Sequence, residues 1–192
     1  MPSETPAHSP YLYFLIVGCE AAFWIVLALA LAARYLLKSQ TLSRALLFSL
    51  PAIDLLLLAF TAMDLKSGTQ ATPAHGLATA YVAFTVAFGS VAVSWADQRF
   101  AHWFASGPPP VKPPTHGWPG IRYELRLWLR SIVATLIAIV LLIALIAYID
   151  DEAVTKPLHT WFGLAVGWSV FWFIFGPLWN LVFCWREDKE EK

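Results

Sequence analysis

Residues 74–97 read AHGLATAYVAFTVAFGSVAVSWAD, an apolar run with polar and small residues threaded through it. At 1.5 Å per helical residue this run is long enough to cross the roughly 30 Å of hydrocarbon in a bilayer. His75, Thr79, Ser90, Ser94 and Asp97, with Ala83 and Val86 between them, recur at helical steps and fall on one stripe. Gly76, Ala78, Ala80, Ala87, Gly89 and Ala92 allow neighbouring backbones to come close, as a helix surrounded by other helices needs. The reading is a central transmembrane helix with a polar seam.

Working outward, four more runs have the length and composition of membrane spans. The expected set is about 11–36, 45–63, 76–96, 127–148 and 161–183, giving an all-α, five-span bundle as a single integral membrane domain. The chain is 58% hydrophobic and 14% charged, which is outside the range of ordinary soluble domains. Tyr11, Tyr13, Trp95, Trp128, Tyr148, Trp161 and Trp185 lie near span ends, where aromatic belts form. Eleven of the thirteen Lys and Arg residues fall in the first and third connections and the C-terminal tail; only Lys66 and Lys156 fall on the other side. Positive charge stays cytoplasmic, so the N-terminus is expected outside and the C-terminus in the cytoplasm. The first ten residues carry no positive n-region, and the apolar run after them is too long for a cleavable signal.

Two acids stand inside the spans. Counting along the helices, Glu20 lies roughly 14 Å below the outer end of the first span and Asp54 about 15 Å above the inner end of the second. They reach nearly the same depth from opposite directions. An ionisable side chain within a span costs on the order of 2.5–3.5 kcal/mol to insert, which makes function the default reading. Two carboxyls facing each other across a dry interior would share a proton. The alternative is glue: an acid bonded to Thr85, Ser90 or the Leu47 carbonyl that Pro51 frees, locking helices together. Asp54, Thr61 and Asp64 also share a helix face.

Elsewhere the signals are weaker. His8, Asp64, His75, Asp150, Asp151, Glu152 and His159 gather on the expected outer side but in no compact metal-ligand spacing, so no metal and no cofactor is expected. The connection 105–120 holds GPPPVKPPTHGWPG from Gly107 to Gly120, which reads as a stiff spacer. Trp95, Arg99, Arg122, Arg126 and Arg130 form an expected cytoplasmic anchor at the lipid headgroups, with Asp97 pairing locally to Arg99. The fourth span, the blandest, with Ser131 and Thr135 near its inner end only, is expected to face lipid. The aromatic fifth span carries Gly163 and Gly167 at a close-packing spacing and a kink at Gly176–Pro177. Cys19 and Cys184 form no thiol motif. No nucleophile elbow, HExxH or phosphate loop is present, which argues against an enzyme, and there is no basic footprint for nucleic acid.

CEAAFW (19–24), PAIDLLLL (51–58), AHGLATAYVAF (74–84) and WADQRFAHWF (95–104), followed by the Pro-rich connection, resemble a bacterial family of small integral membrane proteins, the YmcC-like type. The resemblance covers about 11–185. It implies a bacterial plasma membrane location and no particular activity. Two functions remain from the residues themselves. One is handling of protons, ions or a small solute along the seam, with a homo-oligomer expected at this size. The other is a non-catalytic scaffold or partner subunit that docks a membrane partner protein through the basic cytoplasmic loop. The lipid bilayer is a partner in both.

Overall fold

The computed structural model describes residues 10–114 and 117–184. His8, His116, Trp185 and the tail cations Arg186, Lys189 and Lys192 lie outside the described residues. The described chain is helical, with no strand. Its helices are α1 (Pro10–Tyr35), α2 (Gln40–Lys66), α3 (Pro73–Ala105), α4 (Gly117–Ile149), the single turn α5 (Glu152–Thr155) and α6 (Thr160–Phe173). A 3-10 turn (Lys156–His159) joins α5 to α6, and π-helical winding (Ile174–Leu178, Asn180–Cys184) continues α6. Five of these runs are long and apolar enough to cross a membrane. Phe48, Leu55, Val140 and Phe171 point outward, the arrangement expected where lipid is the solvent.

The ends of the helices follow from local chemistry. α2 closes where Ser67 N–H returns to the Met63 and Asp64 carbonyls, and Gly68, at φ 94°, takes the left-handed turn that reverses the chain. Pro73 opens α3, where its missing N–H loses nothing. The helices run past the expected spans at the arginine-rich end. ADQRFAHWF (96–104) continues α3, and IRYELR (121–126) lies inside α4, because each stays helical at the surface.

α1 packs along α2, α2 on α3, α3 on α4, and α4 on α6; α3 also touches α1 and the turn before α6. α3 is therefore interior, as its small residues require. Gly76 shows why: a Cβ there would fall inside the Trp161 indole, so only glycine lets α6 approach. Two apolar clusters result. Ile16, Leu57 and Ala78 join α1, α2 and α3, with Cys19 and Tyr81 against them. Leu65, Leu142, Leu145, Ile149 and Leu158 join α2, α4 and the 3-10 turn at the α2–α3 loop end, with Trp161 and Phe162 of α6 packed against them.

Two expectations change. α4 does not simply face lipid: Ser131, Ala138, Leu142, Leu145 and Ile149 are buried, the last three in the cluster with Leu65 of α2. A helix apolar all round reads the same whether it meets lipid or protein. Gly163 and Gly167 are exposed, with open space where a Cβ would sit, so their spacing closes no contact within the chain. At Gly176–Pro177 the helix widens into π winding, one accommodation of a proline that cannot donate an N–H.

Candidate functional site

α2 presents one buried face containing Ser43, Leu50, Asp54, Leu57, Thr61, Asp64 and Leu65, a helical repeat that runs nearly the whole length of the span. Four of these are polar. Asp54 is 3% exposed and Thr61 is 0% exposed. The polar line of the bundle thus lies on α2, and the α3 seam supplies partners to only part of it.

At mid-depth Glu20, Asp54 and Tyr81 line one small cavity between α1, α2 and α3, together with Cys19, Phe23, Trp24 and Leu57. Its volume is about 20 Å³, room for about one water molecule. The two acids, placed at similar depth by residue counting, do come to the same cavity wall. Thr85 on α3 is a polar neighbour of the Asp54 carboxyl, and Oδ2 has no hydrogen-bond partner among the described residues. Tyr81 is the member the sequence did not reveal. An aromatic in a span reads as packing, and only the fold turns its ring towards both acids.

At the α2–α3 loop end a second polar group is complete. His75 Nδ1 accepts from the Thr72 backbone N–H at 2.9 Å, so the ring proton sits on Nε2 and is directed at Asp64 Oδ2, 3.0 Å away. Thr69 donates its hydroxyl to Asp64 Oδ1 at 3.2 Å. The same Thr72–His75 contact caps α3, so one histidine serves both the helix start and the buried acid. Among the described residues no group of three or more His, Cys, Asp or Glu is placed to hold a metal. Asp151 instead caps α5 through the Ala153 and Val154 amides.

The α3 stripe divides. His75 and Thr79 are buried, Thr79 bonding back to the Gly76 carbonyl at 2.7 Å. Ser90 and Ser94 are exposed. Ser90 receives the Arg130 guanidinium at 3.1 Å, which also reaches the Ala87 carbonyl at 3.3 Å, so Arg130 turns onto α3. Asp97 does not pair with Arg99. It forms an ion pair with Arg34 at 2.9 Å and accepts from the Tyr35 hydroxyl, tying α3 to α1. Arg99 instead lies over the Trp95 ring, 3.8 Å from its centroid. Arg122 lies 5.2 Å from the Trp118 ring centroid, and Arg126 is exposed beside it. With Pro114, Pro119 and Tyr123 they line a surface cleft of about 350 Å³.

No family model matches the chain, and no solved structure matches it. A curated protein does: the chain is 39% identical over 158 residues to the uncharacterized membrane protein YmcC of Bacillus subtilis (strain 168), covering 82% of this chain and 83% of that protein. With that identity over most of both chains, and five helices fit to span a bilayer, this multi-pass membrane protein belongs to the YmcC family.

Proposed function

We propose that the protein handles a proton or a small monovalent cation at the Glu20–Asp54 cavity, from a position in the bacterial plasma membrane with its N-terminus outside. The observation that carries this reading is Asp54, 3% exposed, with Oδ2 unbonded among the described residues, on the wall of a water-sized space that Glu20 and Tyr81 also line. A buried polar atom left without a partner costs about 1–3 kcal/mol, and glue would have been given one. The size of the cavity favours a proton or ion over an organic solute. The Lys and Arg distribution supports the orientation, and the bacterial relative supports the membrane.

The test is flux in proteoliposomes under an imposed pH or cation gradient. Asp54→Asn should abolish a flux that wild type supports, and Glu20→Gln should reduce it. A double Glu20→Gln, Asp54→Asn protein that matches wild type rejects the reading.

A second reading, a scaffold docking through the basic connection, draws on the Arg122–Arg126 cleft with its Trp118 and Tyr123 walls. It predicts a stoichiometric membrane partner that is lost on deleting residues 107–114. Recovery of the wild-type chain alone in mild detergent rejects it.

A further inference from the structure

We infer that the acid cavity is entered from the α2–α3 loop end, along the buried face of α2, through a hydrophobic gate formed by Leu57. The purpose of such a gate rests on the ion-handling reading; its existence does not.

Three features of α2 lead there. The first is Thr61, 0% exposed and with no partner for its hydroxyl among the described residues. Helical threonines commonly bond back to their own preceding turn, as Thr79 does to the Gly76 carbonyl. Thr61 leaves its oxygen unused, and a water molecule is the partner that removes that cost. The second is position. Thr61 lies one turn from Asp64, whose carboxylate is held by His75 and Thr69 at the surface end of the bundle. Asp64, His75, Thr69 and Thr61, all buried, therefore form a closed polar vestibule of side chains at that end. The nearby Lys66 ammonium is occupied elsewhere, by the Tyr148 and Ile149 carbonyls at 2.9 and 3.0 Å.

The third feature is what separates this vestibule from the acids. Thr61 and Asp54 are two turns apart, about 10 Å along the axis, and Leu57 stands between them on the same face. Leu57 is 3% exposed, packs with Ile16 and Ala78, and is also part of the acid cavity wall. An apolar side chain between two polar compartments is the arrangement that gates by dewetting. In the opposite direction the next polar group on the buried face of α2 is Ser43, whose hydroxyl is also buried and without a partner among the described residues, but it lies about 16 Å along the helix from Asp54, beyond Leu50. The shorter polar path therefore runs to the α2–α3 loop end.

Cys19, on the cavity wall, is a native reporter, because a thiol in dry surroundings is inert and one reached by water reacts. The experiment uses the full chain carrying Cys184→Ser in vesicles. Silver ion is added from the side on which Gln70→Cys, in the exposed α2–α3 loop, is labelled. Leu57→Ala should raise the rate of Cys19 modification on the order of tenfold, and Thr61→Leu should lower it by a similar factor. Thr61→Val, which keeps the shape and removes the hydroxyl, should also slow it, and covers the case in which a core variant fails to fold. Rates indifferent to both positions, or faster modification from the arginine-rich side, overturn the inference. Indifference together with an Asp54-dependent flux would sink the gate and leave the ion site standing. Gated access without any flux would do the reverse.

Discussion

The two sides of α3 handle buried polarity in opposite ways. Between α4 and α6, every hydroxyl has a bond. Thr135 and Ser169 share a hydrogen bond of 2.5 Å, Ser131 donates to the Trp128 carbonyl at 2.7 Å, and the Trp128 indole N–H reaches the Ser169 carbonyl at 3.2 Å. The adjoining cleft, about 460 Å³, is walled mainly by Leu, Ala, Phe and Trp side chains, with Thr79, Tyr81, Ser131 and Thr135 among them. Between α1, α2 and α3, Asp54 Oδ2 and Thr61 Oγ1 are buried and left open. One region uses its hydroxyls to fasten helices together in lipid, with the Asn180 side-chain oxygen, on the π winding beyond α6, as its buried atom without a partner among the described residues. The other bears the energetic cost of unsatisfied oxygens, which fastening does not explain. Asp64 and His75 lie between these extremes, fully bonded yet directly above the open line.

Substitutions can break this contrast or sharpen it. The largest effect is expected at Gly76, where the two regions join. Gly76→Ala drives a Cβ into the Trp161 ring and should cost at the upper end of the roughly 1–3 kcal/mol typical of overpacking, read as a lower unfolding midpoint in detergent. Next, His75→Ala uncaps α3 and leaves Asp64 with Thr69 alone; an unfolding loss of about 1–3 kcal/mol is expected. A variant as stable as wild type would show that the dyad contributes nothing to the fold. Ser169→Ala removes the hub of the α4–α6 hydroxyl set, with an expected loss of about 0.6–1.7 kcal/mol and no change in flux. Arg99→Ala, which lifts a half-buried cation from Trp95, should cost about 0.5–1 kcal/mol.

Much of this molecule is legible in its sequence, for a physical reason. A bilayer demands long apolar helices, so all five spans can be read from length and composition, and depth can be counted along each helix. That counting is what brought Glu20 and Asp54 to one level. Facing is harder to read. Lipid and protein interiors are equally apolar, so α4 gave no sign of which side packs, and the spacing of Gly163 and Gly167 could not say that it points outward. Pairing was also hidden. Asp97 has an arginine two residues away in Arg99, yet it pairs with Arg34 on α1, a contact that exists only once α1 and α3 are side by side. Tyr81 was invisible for the same reason: its place between two acids belongs to three helices together.

The contrast between fastening and open polarity reduces to the stability of Asp54→Leu in detergent. If Asp54 is held for function, replacing a buried, under-bonded carboxyl with an apolar side chain should leave the unfolding midpoint at or above wild type. If the midpoint instead falls as far as that of Ser169→Ala, Asp54 is a fastener like the hydroxyls of α4 and α6, and the account fails.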